Sequence, residues 1–254
     1  MEDNETNPAP QAWAIEVQGV TKSFGNHLAL RGIDLEVKQG ECVVIFGPNG
    51  AGKTTLIKVL ATIMYPSSGR VLVDGLNLKN NAEEIRRRIG VVTHQTFLYG
   101  NLTAYENLEF YSRMYDVPRL RERIHEVVAM VGMTPRLYDR VGTLSRGTQQ
   151  RLSIARSLLH NPAIILLDEP EMGLDQQAIS MLWEALRTEG EEKRSIILTT
   201  HNLERGFELG DRLLILHKGK IVYQGSRQVL DLAGLKEVYQ YSTRVGAWDS
   251  GVRS

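Results

Sequence analysis

Three stretches of this chain carry residue types suited to phosphate chemistry. Gly47-Pro48-Asn49-Gly50-Ala51-Gly52-Lys53-Thr54, followed by Thr55, fits the spacing G-x-x-x-x-G-K-[ST]. Glycines so placed let successive backbone N–H groups turn inward around a phosphate. A helix starting there adds the positive end of its dipole. Lys53 can then reach the β- and γ-phosphates of a nucleotide, and the Thr54 hydroxyl can ligate Mg²⁺. Far downstream, Ile164-Ile165-Leu166-Leu167-Asp168-Glu169 is an apolar run ending in two carboxylates. Asp168 is placed to hold Mg²⁺ through water, and Glu169 to polarise an attacking water. Between them, Leu144-Ser145-Arg146-Gly147-Thr148-Gln149-Gln150-Arg151 puts Ser145 and Gly147 at the mouth of a helix. This second phosphate-binding surface must face something. We read it as facing the nucleotide held by another copy of the chain.

Single residues extend the pattern. Gln95 follows a short strand and can offer its carbonyl oxygen to Mg²⁺ or to the attacking water; a plain polar loop residue is the competing reading. His201 ends another strand. As a neutral ring it can hydrogen-bond a γ-phosphate and a nearby backbone group, against a helix-capping role. Phe24, in Thr21-Lys22-Ser23-Phe24-Gly25, can stack on a purine, against a core or turn aromatic. The remaining histidines, His27, His94, His125, His160 and His217, show no metal-ligand spacing and are read as structural. Arg86-Arg87-Arg88 after Glu83-Glu84 reads as a solvated helix face.

These residues need a scaffold, and the hydrophobic pattern supplies one. Ala14 to Val20 and Ile33 to Val37 alternate apolar and polar, predicting antiparallel strands with one wet face. Glu41 to Phe46 is continuously apolar, a buried strand running into the Gly-rich loop. A helix is expected over Lys53 to Thr62, and strands over Arg70 to Asp74 and Ile89 to Thr93. From Thr103 to Val131 the apolar positions fall at helical spacing, and Pro118 splits them into two helices. Helix Ser145 to Leu159, strand Ala163 to Leu167, helix Gln176 to Arg187 and strands Ser195 to Thr199 and Arg212 to Leu216 follow. Lys218-Gly219-Lys220 predicts a hairpin turn into Ile221 to Gln224. The expected fold is α/β: a phosphate-loop core with a mostly parallel sheet, an N-terminal antiparallel β part and a helical lobe inserted over about 96–143. One domain over 13–240 is expected, flanked by loose tails over 1–12 and 241–254.

Composition sets limits. The 254 residues are 42% hydrophobic and 24% charged, which suits an ordinary folded core. Lys+Arg and Asp+Glu balance at 30 each, against a chain driven onto nucleic acid by bulk charge. Cys42 is the only cysteine and lies in an apolar strand, so no internal disulfide forms and a reducing compartment is expected. No apolar run approaches the roughly 18 residues of a membrane span, and a cytoplasmic location is expected.

The order of these pieces resembles the ATP-binding subunits of ABC transporters. That family runs aromatic turn, phosphate loop, Gln loop, helical lobe, signature segment, Asp-Glu strand, Asp loop and switch His. Here the corresponding residues are Phe24, Gly47 to Thr54, Gln95, about Thr96 to Thr143, Leu144 to Gln150, Ile164 to Glu169, Gly173-Leu174-Asp175 and His201. The resemblance implies an ATP hydrolase with Mg²⁺ as cofactor. Two subunits, identical or closely homologous, would pair head to tail around two ATP molecules. Ser145 and Gly147 would contact the γ-phosphate on the partner's phosphate loop, and Asp175 would cross the interface. Glu169 would be the general base and His201 the γ-phosphate sensor. A separate membrane-spanning permease would dock near Gln95 and the helical lobe, so the chain would touch the cytoplasmic face of the membrane only through that partner. One departure stands out. The usual signature is Leu-Ser-Gly-Gly-Gln, whereas Arg146 and Thr148 fill the third and fifth places here. Arg146 can contact the partner or point into solvent. His94-Gln95, Leu102 to Leu108 and Thr199 to Gly206 also resemble the haem-exporter type used in cytochrome c maturation. A soluble ABC-type ATPase outside transport, of the cluster-assembly type, is the alternative, as is the subunit of a drug or polysaccharide exporter.

Overall fold

The computed structural model describes residues 13–171, 174, 176–187 and 193–245. Strands β1 (Trp13–Phe24) and β2 (His27–Lys38) form a long antiparallel hairpin. Strand β3 (Cys42–Phe46) leads into helix α1 (Lys53–Leu60). Then come β4 (Ser68–Val73), β5 (Leu76–Asn77), α2 (Ala82–Arg88) and β6 (Ile89–Val92). The inserted lobe holds α3 (Ala104–Met114) and α4 (Leu120–Met130). The core resumes with α5 (Arg146–Leu158), β7 (Ile164–Asp168), α6 (Gln176–Arg187) and β8 (Ser195–Thr200). Helix α7 (Leu203–Leu209), the hairpin β9 (Arg212–His217) and β10 (Lys220–Ser226), and α8 (Leu232–Val245) complete it.

Two sheets organise these elements. One has the order β2-β1-β4-β5; the other runs β10-β9-β3-β8-β7-β6. In the larger sheet β9, β3, β8, β7 and β6 are parallel, and β10 is antiparallel to β9. Because strand side chains alternate between faces, β3 feeds two cores. Val43 and Ile45 join the antiparallel sheet and α1, while Val44 and Phe46 join the core shared with α3 to α8. Both faces are covered, which is why β3 and β7 read as unbroken apolar runs. Helix α7 lies so close to β3 that a Cβ at Gly206 would meet Phe46 Cε1 at 2.4 Å.

The first hairpin is longer than the alternation predicts. Its pairing continues through register shifts to Phe24↔His27 and turns at Gly25, whose φ is 56°. Bulges interrupt the apolar period without ending the strand. The helical lobe starts where expected: Thr103 accepts from Glu106 N, and the Glu106 side chain accepts from Thr103 N, a reciprocal cap. The loose C-terminal tail needs correction. Helix α8 runs through Ser242 to Val245, because Leu235 is fully buried and Val238 and Tyr239 pack on the same core. The N-terminal tail over 1–12 and the remainder over 246–254 lie outside the described residues.

Candidate functional site

The parallel strands β3, β6, β7 and β8 end on one edge of the sheet, where α/β folds bind ligands. The phosphate loop leaves β3 there. Gly47 is glycine for space: a Cβ would sit 2.3 Å from the Leu216 carbonyl oxygen. Gly52 is glycine for conformation as well, with φ 108° at the N-cap of α1 and the Ala29 carbonyl 2.7 Å from any Cβ. Lys53, 6% exposed, curls back over the loop. Its Nζ donates to Gly47 O at 2.6 Å and Pro48 O at 3.3 Å, and lies 3.5 Å from Glu169 Oε1.

The carboxylate pair comes from β7. Asp168 is 1% exposed, and its Oδ1 accepts from Thr199 Oγ1 of the adjacent strand at 2.6 Å. Its Oδ2 is 4.0 Å from His94 Nδ1. Glu169 follows with φ 50°, a left-handed conformation unusual for a residue with a side chain. Backbone bonding from Glu169 N to Thr199 O at 3.0 Å holds it. Strain of this kind concentrates at functional sites. His201 Nδ1 is hydrogen-bonded to Glu169 Oε2 at 2.5 Å. A carboxylate only accepts, so Nδ1 carries the proton and Nε2 is the free ring atom.

A cavity of about 470 Å³ collects these groups. Phe24, Pro48 to Thr55, Asp168 and Glu169 all line it. Phe24 is half exposed at its rim, with Lys22 Nζ 5.3 Å from the ring centroid. Gly47 lies beneath the loop. His201 faces an adjoining cavity of about 330 Å³ beyond Glu169, shared with Glu171, Asn202 and Arg205. Glu169 borders both cavities.

Gln95 is not among the lining residues. Its neighbour His94 is, so His94, whose spacing suggests only a structural role, belongs to the cavity wall. The cause is local: the Thr93 hydroxyl donates to Gln95 O at 2.8 Å and accepts from Gln95 N at 3.2 Å, closing a tight turn that leaves Gln95 exposed. His27 and Ala29 also line the cavity, brought there by the extended hairpin. No signal in single-residue spacing points to them. Ser145 is the N-cap of α5, its hydroxyl accepting from Thr148 N at 3.3 Å and bonded to Thr148 Oγ1 at 2.8 Å. Ser145 and Gly147 do not line the cavity of their own chain, but Arg146 between them does. Gly173 and Asp175 lie outside the described residues.

A model of the ABC transporter family matches residues 30–172. The ABC transporter ATP-binding protein NatA of Bacillus subtilis (strain 168) is 37% identical over 80% of this chain and 83% of its own length. The Nod factor export ATP-binding protein I of Burkholderia orbicola (strain AU 1054) is 34% identical over 85% of this chain and 72% of its own. A solved dimeric post-hydrolysis state of the ATP-binding cassette MJ0796 bound to ADP and Pi superposes with a TM-score of 0.77 at 30% identity. It covers 84% of this chain and 98% of that one. The chain therefore belongs to the ABC transporter family as an ATP-binding, ATP-hydrolysing subunit.

Proposed function

We propose that this subunit powers export through a separate membrane-spanning permease, closing head to tail on a second ATP-binding subunit around two nucleotides. The observation that carries the reading is the division of phosphate-binding parts. The loop, Asp168 and Glu169 share one cavity, while Ser145 and Gly147 sit at an exposed helix mouth outside it. A helix N-terminus with free donors suits a phosphate presented by another molecule. The dimeric cassette among the structural relatives supports the pairing.

The donor set suits Mg²⁺. Thr54 Oγ1 and the buried Asp168 face the same cavity, and Asp168 Oδ2 has no hydrogen bond among the described residues. Oxygen donors of this kind match a hard cation, which supplies charge neutralisation for the phosphates when bound. Within the chain, Thr199 orients Asp168, and Lys53 and His201 hold the Glu169 carboxylate. Glu169 is the group placed to take a proton from the attacking water. Phe24 at the rim offers a ring face to the base. Asp175 keeps its place in this reading as a contact across the interface. Gln95 reaches the cavity only if its turn opens.

Docking of the permease falls to the lobe surface beside Gln95. Tyr99 and Phe110 are about half exposed there, edge to face at 5.4 Å, with Met114 also exposed. Among the described residues no helix is long and apolar enough to cross a membrane, so membrane attachment runs through the partner. Export is favoured by the Nod factor relative. The haem-exporter reading draws no support from the named relatives. Affinity isolation of the tagged chain from native membranes tests the proposal. A multi-span protein retained in stoichiometric amount is expected. Recovery from the soluble fraction with cluster-assembly factors instead would overturn it.

A further inference from the structure

Arg146 is one of the two residues, with Thr148, by which this signature segment departs from the usual one, and it occupies an unexpected place. It is exposed at the first position of α5, yet it lines the cavity formed by the phosphate loop of its own chain. No hydrogen bond or ion pair to a described residue engages its guanidinium, whereas the hydroxyl residues of the same turn are accounted for. Ser145 caps the helix and Thr148 completes that cap. A cation in the first turn opposes the helix dipole, so α5 gains nothing locally from an arginine there. The cavity does gain. Without Arg146 it sets one lysine, Lys53, against the carboxylates of Asp168 and Glu169. Even with Mg²⁺ on Asp168, a guanidinium beside Lys53 adds a second side-chain cation and a fork of donors suited to phosphate oxygens.

We propose that Arg146 binds the phosphate chain of the nucleoside triphosphate held by its own subunit, in cis, while Ser145 and Gly147 on either side face the partner. The inference rests on the two-subunit reading above. It makes one turn of α5 serve two nucleotides, and it ties α5 to the phosphate loop of the same chain when nucleotide arrives.

The test separates cis from trans. First, the full chain is titrated with mant-ATP at concentrations where light scattering shows a monomer. Arg146→Gly should weaken binding about tenfold, the loss expected for one charge-assisted phosphate contact, and Arg146→Lys should recover part of it. Second, heterodimers isolated through two different tags carry one dead phosphate loop. Lys53→Ala paired with Arg146→Gly leaves the working loop on the subunit lacking the arginine, and hydrolysis should fall. The double variant Lys53→Ala/Arg146→Gly paired with wild type leaves a working loop with its own arginine, and hydrolysis should match Lys53→Ala paired with wild type. The reverse pattern places Arg146 in trans and overturns the proposal. Equal activity in both pairs with unchanged monomer binding shows a solvated side chain and overturns it too. Failure of the wild-type monomer to bind mant-ATP would instead overturn the nucleotide reading from which it starts.

Discussion

Replacing Glu169 by Gln has two effects of opposite sign, and both can be sized from the site. Glu169 Oε1 lies 3.5 Å from Lys53 Nζ. At an effective dielectric of about 20, opposite unit charges at that distance attract by 332/(20 × 3.5), about 5 kcal/mol gross. Removing both charges from water offsets most of this, leaving a net of about 1 kcal/mol. That is the attraction a phosphate must overcome to recruit Lys53. The Gln amide keeps the shape and can still accept from His201, so the neutral isostere should bind ATP about fivefold more tightly. Hydrolysis moves the other way, because an amide takes no proton. Loss of a general base lowers turnover by about 10²- to 10⁴-fold. Steady-state phosphate release and mant-ATP titration on the same preparation read the two effects separately. Wild-type turnover by Glu169→Gln would remove Glu169 as the base. Weaker ATP binding would show that the Lys53 pair does not compete with phosphate.

Three further outcomes follow from individual contacts. Thr199→Val removes the 2.6 Å hydroxyl bond to Asp168 Oδ1. A charge-assisted bond of about 1.5–3 kcal/mol should appear as a roughly tenfold or larger rise in the Mg²⁺ concentration needed for half-maximal hydrolysis. Asn107 is fully buried and its side chain bonds Tyr99 N, Tyr99 O and Thr103 O. Asn107→Ala should cost about 2–4 kcal/mol in urea denaturation and reduce retention of the permease, since it frees the loop carrying Tyr99. His160 Nε2 is hydrogen-bonded to Ile89 O at 3.0 Å, and its buried Nδ1 has no hydrogen-bond partner among the described residues. Burial, despite that bond and with help from Arg156, Arg123 and Arg194, lowers its pKa from 6.5 to about 4. The unfolded chain therefore binds the extra proton between those values. Stability is fully present above about pH 6.5 and falls by up to roughly 3 kcal/mol as pH drops toward 4. His160→Phe should flatten the slope of denaturation free energy between pH 4.5 and 6.5.

The phosphate loop and the Asp-Glu strand were legible because their chemistry is contiguous. Gly47 and Gly52 are required by backbone geometry within a few residues, and Asp168 and Glu169 end a run whose burial the composition declares. Long-range pairing was not legible. His27 and Ala29 reach the cavity only because a bulged hairpin extends far beyond the alternating residues. The exchange of Gln95 for His94 turns on one hydroxyl, Thr93, whose preference for its own neighbouring backbone is invisible to a period count. Helix α8 was within reach: Leu232, Leu235, Val238 and Tyr239 keep helical spacing. Asp231 Oδ1 also accepts from Gly234 N at 2.8 Å at the helix start.

The remaining question is how the α5 mouth communicates with the lobe surface. The answer lies in a buried cation on the same helix. Arg156 is 7% exposed, and its Nη2 donates to Val91 O at 2.8 Å, at the end of β6. Its guanidinium lies 5.7 Å from the Phe97 ring centroid and 5.1 Å from that of Tyr111. Tyr111 in turn donates its hydroxyl to Phe97 O at 2.5 Å. Burial lowers the Arg156 pKa from its ordinary value, opposed by the nearby tyrosines. The negative faces of the two rings compensate in part for lost water, an interaction of about 2 kcal/mol when desolvated. Separating α5 from Phe97 would forfeit the ring contact that compensates the buried cation, which favours the two segments shifting together. Phe97 sits two residues beyond Gln95, and Tyr111 touches Phe110 edge to face at 5.3 Å. A shift of α5 at Arg146 would therefore be passed to the exposed aromatic surface of Tyr99 and Phe110 through these packed contacts.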